Sequence, residues 1–119
     1  MNIGLSYFYE GQYEKSQNYF LKSISANRDN CLAYNYYGRS LIELEDFKKA
    51  AKTLDQAIYH CQRTGLDEPH YYSAISLFRL GAKAKAIARL QEGQKLFPNG
   101  PNKHKIAEMI NLMKLTETK

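Results

Sequence analysis

Residues 34–58 read YNYYGRSLIELEDFKKAAKTLDQAI and predict two consecutive helices. Apolar and small residues recur at a helical period on both sides of a break at Glu45 and Asp46. Asp46 is a suitable N-cap for the second helix. A glycine inside a helix costs about 1 kcal/mol relative to alanine, so Gly38 indicates a place where another part of the chain comes close. The stretch therefore predicts a helical hairpin with Gly38 at the contact between its helices.

The hairpin pattern occurs three times along the chain. Gly4 precedes Gly38 by 34 residues, and Ala74 follows it by 36 residues. Matching positions are occupied by Ile3, Tyr7, Tyr13, Phe20 and Ile24 in the first copy, by Tyr37, Leu41, Phe47, Leu54 and Ile58 in the second, and by Leu77, Gly81, Ala86 and Leu90 in the third. Pro98 closes the third copy.

A helix–turn–helix period of 34 residues, with small residues at the crossing points and a terminal proline, resembles the tetratricopeptide repeat (TPR). The resemblance covers residues 1–98, although Glu45 stands where the family usually has a turn glycine. It implies an all-α fold, a right-handed superhelical solenoid of three repeats at about 1–30, 31–64 and 67–100. A C-terminal capping helix at about 102–115 would complete a single domain spanning residues 1–119.

Seven helices are predicted in total. Their ranges are about 2–10, 13–26, 31–44, 47–63, 67–81, 83–97 and 102–115. Asp29 or Asn30 is expected to cap the third helix, and Asp67 followed by Pro69 marks the start of the fifth. Gly11, in the left-handed conformation, is expected to end the first helix.

The net charge of +5 is concentrated at the C-terminal end. Residues 83–119 contain eight basic and three acidic residues, whereas residues 1–82 are balanced. A basic stretch can attract an acidic partner. A solvated outer face that keeps the solenoid soluble is the favoured interpretation. Nucleic-acid binding is not favoured, because no recognised motif accompanies the charge.

Cys31 and Cys61 are the two cysteines of the chain. Antiparallel packing of the middle hairpin would bring them to the same end, so a disulfide is sterically feasible, but reduced, partly buried thiols are favoured. The chain has no apolar run long enough to span a membrane and no recognisable signal peptide, which favours the cytoplasm. Met1 falls partway into the first predicted helix, so the chain could be a piece of a longer protein.

No group of residues in the sequence indicates catalysis. His60, Cys61 and His70 lack the spacing and the fourth ligand of a closed zinc site, and no orienting residue completes a Cys–His nucleophile pair. No glycine follows a predicted strand, so a phosphate-binding loop is not indicated. We expect a protein without enzymatic activity, metal or cofactor.

The TPR resemblance implies a concave groove lined by the first helix of each repeat, in which family members usually hold an extended peptide or a partner helix. The positions that match the family's groove positions are Leu5, Phe8, Tyr9, Asn35, Tyr36, Arg39, Ile42, Glu43, Tyr71, Tyr72, Ile75, Phe78 and Arg79. For Tyr36 and Tyr72, packing against neighbouring first helices is an equally weighted alternative.

The chemistry of this residue set favours recognition of an apolar peptide. Asn35 can bond a peptide backbone, and Arg39 can hold a carboxylate. Some TPR proteins grip the C-terminal carboxylates of a chaperone, but here Leu5 and Ile75 occupy positions that would need to be polar. The leading hypothesis is a scaffold that binds a segment of a partner protein. The alternative is self-association into a homo-oligomer through the apolar face of the incomplete first repeat.

Overall fold

The computed structural model describes residues 2–116, which fold into seven helices with no strand among them. The helices are α1 (Asn2–Tyr9), α2 (Tyr13–Ala26), α3 (Cys31–Glu43), α4 (Phe47–His60), α5 (Glu68–Arg79), α6 (Lys83–Leu96) and α7 (Lys103–Leu115). All seven predicted helices are confirmed. The largest difference in bounds is at the end of α4, which stops at His60 rather than at residue 63.

Local polar signals start the helices of the middle hairpin as predicted. The Asn30 side chain accepts a hydrogen bond from the Ala33 backbone N–H at 3.1 Å. Asp46 accepts one from the Lys49 backbone N–H at 3.3 Å. Each bond satisfies an N–H group that has no partner inside its own helix, which fixes where α3 and α4 begin.

The turn inside each hairpin uses one residue with a left-handed backbone. This residue is Gly11 in the first hairpin (φ 81°), Glu45 in the second (φ 61°) and Gly81 in the third (φ 86°). Glu45 adopts the conformation in spite of its side chain, so all three turns keep the same geometry. The three copies are therefore structurally equivalent even where the family's usual glycine is missing.

The helices of a hairpin approach most closely at the small residues that mark the repeat. A side chain at Gly38 would overlap the fully buried Leu54 of α4, and one at Gly4 would crowd Phe20 of α2. Ala74 takes the equivalent place in the third hairpin, where it is buried in a cluster with Ala86 and Leu90. The predicted role of Gly38 as a contact point is confirmed.

Asp67 connects the third hairpin to α7. It is fully buried just before α5, and its carboxylate accepts hydrogen bonds from the Asn102 backbone N–H (2.9 Å) and Nδ2 (2.8 Å). Ile106, Ile110 and Met113 of α7 are buried against Ala86 and Leu90. α7 thus covers the end of the core, as expected for a capping helix.

The two cysteines form a disulfide, so the favoured interpretation of reduced thiols is wrong. Cys31 begins α3 and Cys61 directly follows α4, and their Cα atoms are 4.9 Å apart. The antiparallel arrangement of the hairpin brings the two ends together, as predicted. The sequence could not decide the redox state, because two cysteines at this spacing are compatible with either form.

The Gly38–Leu54 contact leads to a first prediction. Alanine has the higher helix propensity, which by itself would stabilise the protein by about 1 kcal/mol. The added Cβ collides with Leu54, and overpacking of this kind costs about 1–3 kcal/mol. We expect Gly38→Ala to lower the free energy of unfolding in urea. In a Leu54→Ala background, Gly38→Ala should lower the free energy of unfolding by less. A Gly38→Ala variant that is more stable than the wild type would contradict the contact.

A second prediction concerns the disulfide. Its half-cystines are 30 residues apart, and closing a loop of that size stabilises a protein by about 3–4 kcal/mol in the chain-entropy account. We expect a reducing agent to lower the melting temperature of the wild type. The double variant Cys31→Ser/Cys61→Ser should melt at the lower temperature with or without reductant. Identical melting of the wild type under both conditions would show that the thiols are not joined in solution.

Candidate functional site

The predicted groove residues lie on α1, α3 and α5, the first helices of the three hairpins, and we call this surface the groove face. Phe8 of α1 packs edge-on against Tyr36 of α3, with ring centroids 5.3 Å apart. Arg39 of α3 reaches the ring of Tyr72 on α5 at 4.7 Å. Residues from all three first helices are therefore in contact across this face.

The thirteen residues differ in how much surface they offer. Leu5, Tyr36, Arg39, Ile42, Tyr71, Tyr72, Ile75 and Phe78 are half-buried. Tyr9, Glu43 and Arg79 are exposed, whereas Phe8 and Asn35 are buried. Seven of these eight half-buried residues are aromatic or aliphatic, so they present apolar area at fixed positions on the groove face.

Arg39 occupies the middle of the groove face inside a ring of aromatic groups. Its guanidinium carbon lies 4.9 Å from the centroid of Phe8, 4.9 Å from Tyr36 and 4.7 Å from Tyr72. Each distance is within the range of a cation–π interaction. The three rings come from three different repeats, so Arg39 ties the first helices together as well as lining the groove.

Glu68, at the start of α5, binds both polar residues in the middle of the groove face. Its Oε1 accepts hydrogen bonds from Asn35 Nδ2 at 2.7 Å and from Arg39 Nη1 at 3.0 Å. Asn35 and Arg39 are thus already paired within the chain. Sequence reasoning missed Glu68, yet the helical period could have found it, because Tyr72 and Ile75 lie four and seven residues further along the same face.

Tyr36, Tyr71 and Tyr72 of the groove face keep their protons at neutral pH. Burial, together with the Tyr9 hydroxyl 2.8 Å away, raises the pKa of Tyr36 to about 12. Burial also raises the pKa of Tyr71 and of Tyr72, and in Tyr72 the positive charge of Arg39 opposes the rise. Each hydroxyl can therefore both donate and accept a hydrogen bond.

An apolar pocket of about 230 Å³ lies where the groove face meets α7. Its lining residues are Ile75, Phe78, Arg79, Met109, Leu112, Met113 and Thr116. Next to it, Lys105 places its Nζ 4.6 Å from the centroid of Tyr71. The volume is below that of pockets for drug-sized ligands, so it suits one side chain of a larger partner. The sequence predicted only a covering role for α7, and the contribution of α7 to this pocket was not predicted.

The residues considered for catalysis or metal binding have structural partners. Cys61 is bonded to Cys31, His60 stacks on Tyr34 at 4.5 Å, and the buried His70 bonds Glu92 at 2.9 Å. Burial lowers the pKa of His70, so this imidazole is neutral at pH 7. Residues 2–116 contain no group of three or more His, Cys, Asp or Glu placed to hold a metal ion. None of the described helices has the length and hydropathy of a membrane span.

Comparison with protein families finds the tetratricopeptide repeat over residues 1–30. No curated protein matches the chain significantly. Among solved structures, the chain is similar to the type III secretion translocator chaperone SycD of Yersinia enterocolitica in an alternative dimer. The TM-score is 0.86 at 16% identity, and the match covers 96% of this chain and 88% of SycD.

Two further similar structures contain bound peptides. The TPR2B domain of yeast Sti1, in complex with an Hsp70 peptide, matches with a TM-score of 0.85 at 16% identity, covering 93% of this chain and 90% of that one. The second TPR domain of human RPAP3, in complex with the HSP70 peptide SGPTIEEVD, matches with a TM-score of 0.84 at 18% identity, covering 97% and 92%. Residues 1–30 thus match the tetratricopeptide repeat, and the described residues share the all-α TPR solenoid fold of these structures.

Proposed function

We propose that the chain is a non-catalytic scaffold that binds a peptide or helix of a partner protein along the groove face. The observation that carries this proposal is the continuous strip of half-buried aromatic and aliphatic side chains that crosses all three hairpins. The strip runs from Leu5 on α1 through Tyr36 and Tyr72 to the pocket beside α7. A surface of this composition binds polypeptide through a few fixed apolar anchors.

The pairing within the groove supports an apolar rather than an ionic mode of binding. Arg39 Nη1 and Asn35 Nδ2 already donate to the Glu68 carboxylate, so these two groups need no anionic ligand as an acceptor. The pocket between α5 and α7 is lined mainly by Ile75, Phe78 and the two methionines Met109 and Met113. Methionine adapts to differently shaped apolar groups, which suits the pocket to a range of aliphatic side chains.

The solved complexes of Sti1 and RPAP3 domains with peptides support the proposal by analogy, because those domains have the same fold. The analogy extends to the mode of binding and not to the ligand. Leu5 and Ile75 stand at groove positions that would have to be polar to hold carboxylates in the way described for the family. We therefore propose a different partner segment, one with predominantly apolar side chains.

A matched pair of tyrosine variants tests the groove. A displayed random-peptide library is selected on the wild-type protein, and the affinities of the enriched peptides are measured by fluorescence polarisation. We expect Tyr72→Ala to weaken binding by about thirtyfold, the effect of removing a binding anchor. Tyr59→Ala, on the α4 surface where Tyr59 is 69% exposed, should change affinity by less than about twofold.

Circular dichroism establishes that both tyrosine variants are folded before the affinities are compared. Equal affinities for the two folded variants would place the binding surface elsewhere on the protein. A selection that enriches no peptide on the folded wild type would argue against peptide recognition altogether.

Self-association remains the second candidate, and one observation favours it. Ile3 is 57% exposed, although its equivalent in the second repeat, Tyr37, is 7% exposed in the core. No helix among residues 2–116 covers Ile3, and a second copy of the chain could do so.

If Ile3 forms a dimer contact, light scattering should show a mass that rises with concentration. Ile3→Lys should abolish the rise, and Leu96→Lys, at an equally exposed leucine on α6, should not. A monomeric mass at all concentrations would exclude this candidate and leave the groove proposal intact.

A further inference from the structure

We propose that Glu68 fills an anion site in the middle of the groove face and thereby excludes carboxylates of the partner from it. This inference rests on the proposed function and specifies the chemistry of the partner segment. The anion site consists of the two donors that converge on a single Glu68 oxygen, Asn35 Nδ2 at 2.7 Å and Arg39 Nη1 at 3.0 Å. Converging donors, one of them charged, are the arrangement by which proteins hold carboxylates.

The two donors are held by the protein independently of Glu68. Asn35 is 1% exposed, so packing fixes its side chain. The guanidinium of Arg39 is surrounded by the rings of Phe8, Tyr36 and Tyr72 within 4.9 Å. Removing the Glu68 carboxylate should therefore leave an empty anion site rather than a rearranged one. Such a preformed site costs a ligand little conformational entropy to use.

With Glu68 in place, a partner carboxylate meets two obstacles at the groove centre. Asn35 Nδ2 and Arg39 Nη1 already donate to Glu68 Oε1, and the Glu68 carboxylate carries the same charge as the ligand. Both obstacles come from Glu68, so removing its carboxylate favours the binding of an acidic ligand. Specificity depends on what a site rejects as much as on what it attracts. The Glu68 side chain is 21% exposed, and no hydrogen bond to its Oε2 is found within residues 2–116. A partner N–H can bond this oxygen, so the geometry favours a neutral, donor-bearing segment here.

The test compares acidic and neutral peptides on the full chain. The acidic probe is fluorescein-labelled SGPTIEEVD, which carries three acidic side chains and a free C-terminal carboxylate. The neutral probe is SGPTIQQVN with an amidated C terminus. We expect Glu68→Ala to increase affinity for the acidic probe by at least about tenfold, the effect of gaining one charge-assisted hydrogen-bond site. Affinity for the neutral probe should change by less than about threefold.

Two further variants separate the anion site from a general change in charge. Glu14→Ala removes an exposed carboxylate on α2, outside the groove face, and should not reproduce the gain. Arg39→Met in the Glu68→Ala background should abolish the gain, because it removes the charged donor. In NMR spectra, the acidic probe should shift the Asn35 side-chain amide signals in Glu68→Ala and leave them unchanged in the wild type.

Several outcomes would overturn the proposal. Wild type and Glu68→Ala could bind the acidic probe equally, or Glu14→Ala could give the same gain. If Glu68→Ala fails to fold, Glu68→Gln replaces it, because glutamine keeps the size of the side chain. If neither variant gains affinity for the acidic probe, the proposal is also overturned. Display-selected apolar peptides that bind the wild type would sustain the groove under any of these results, so failure of the inference and failure of the proposed function are distinguishable.

Discussion

The fold depends on the close approach of paired helices at a small residue. Gly38 against Leu54 is the clearest case, because a single added carbon atom would overlap the leucine side chain. The same contact relates Gly4 to Phe20, and Ala74 shares a buried cluster with Leu90. Three hairpins with the same internal spacing can stack side by side in the same orientation. Their first helices then meet along one face, and the groove face exists for that reason.

Stacking also explains why one arginine can connect three repeats. Tyr36 and Tyr72 are 36 positions apart and occupy equivalent places in neighbouring repeats, and together with Phe8 of α1 they surround Arg39. A charge in this environment needs a partner, since losing water is costly for an ion. Glu68 supplies it at 3.0 Å, and Asn35 adds a second bond to the same oxygen. The centre of the groove face thus combines apolar aromatic rings with one positive and one negative charge, from Arg39 and Glu68, that cancel.

The sequence predicted what depends on nearby residues. Helix starts at Asn30 and Asp46 follow from bonds to residues three positions away, and the packing role of Gly38 follows from the repeat. The approach of Cys31 and Cys61 was predicted from the hairpin, but hydrogen-bonded side-chain pairs about 30 residues apart were not. Asp67 marks the start of α5 as expected, but its carboxylate bonds Asn102, 35 residues on. Composition and helical period indicate which residues share a face. They do not indicate which polar groups on that face form hydrogen bonds with each other.

The hydrogen bonds of Glu68 to Asn35 and Arg39 illustrate why the pairing of polar groups matters for the proposed function. Breaking a partly buried ion pair by removing one member leaves the other without compensation, so Glu68 stabilises the unliganded groove. The same two bonds occupy Asn35 Nδ2 and Arg39 Nη1, so these two donors are not available to a ligand. In the proposed mode of binding, affinity comes from apolar area on the rings and in the pocket beside α7, and salt has little effect on this contribution. In that mode one carboxylate sets both the stability of the free groove and the selectivity among partners, so a change at Glu68 alters both together.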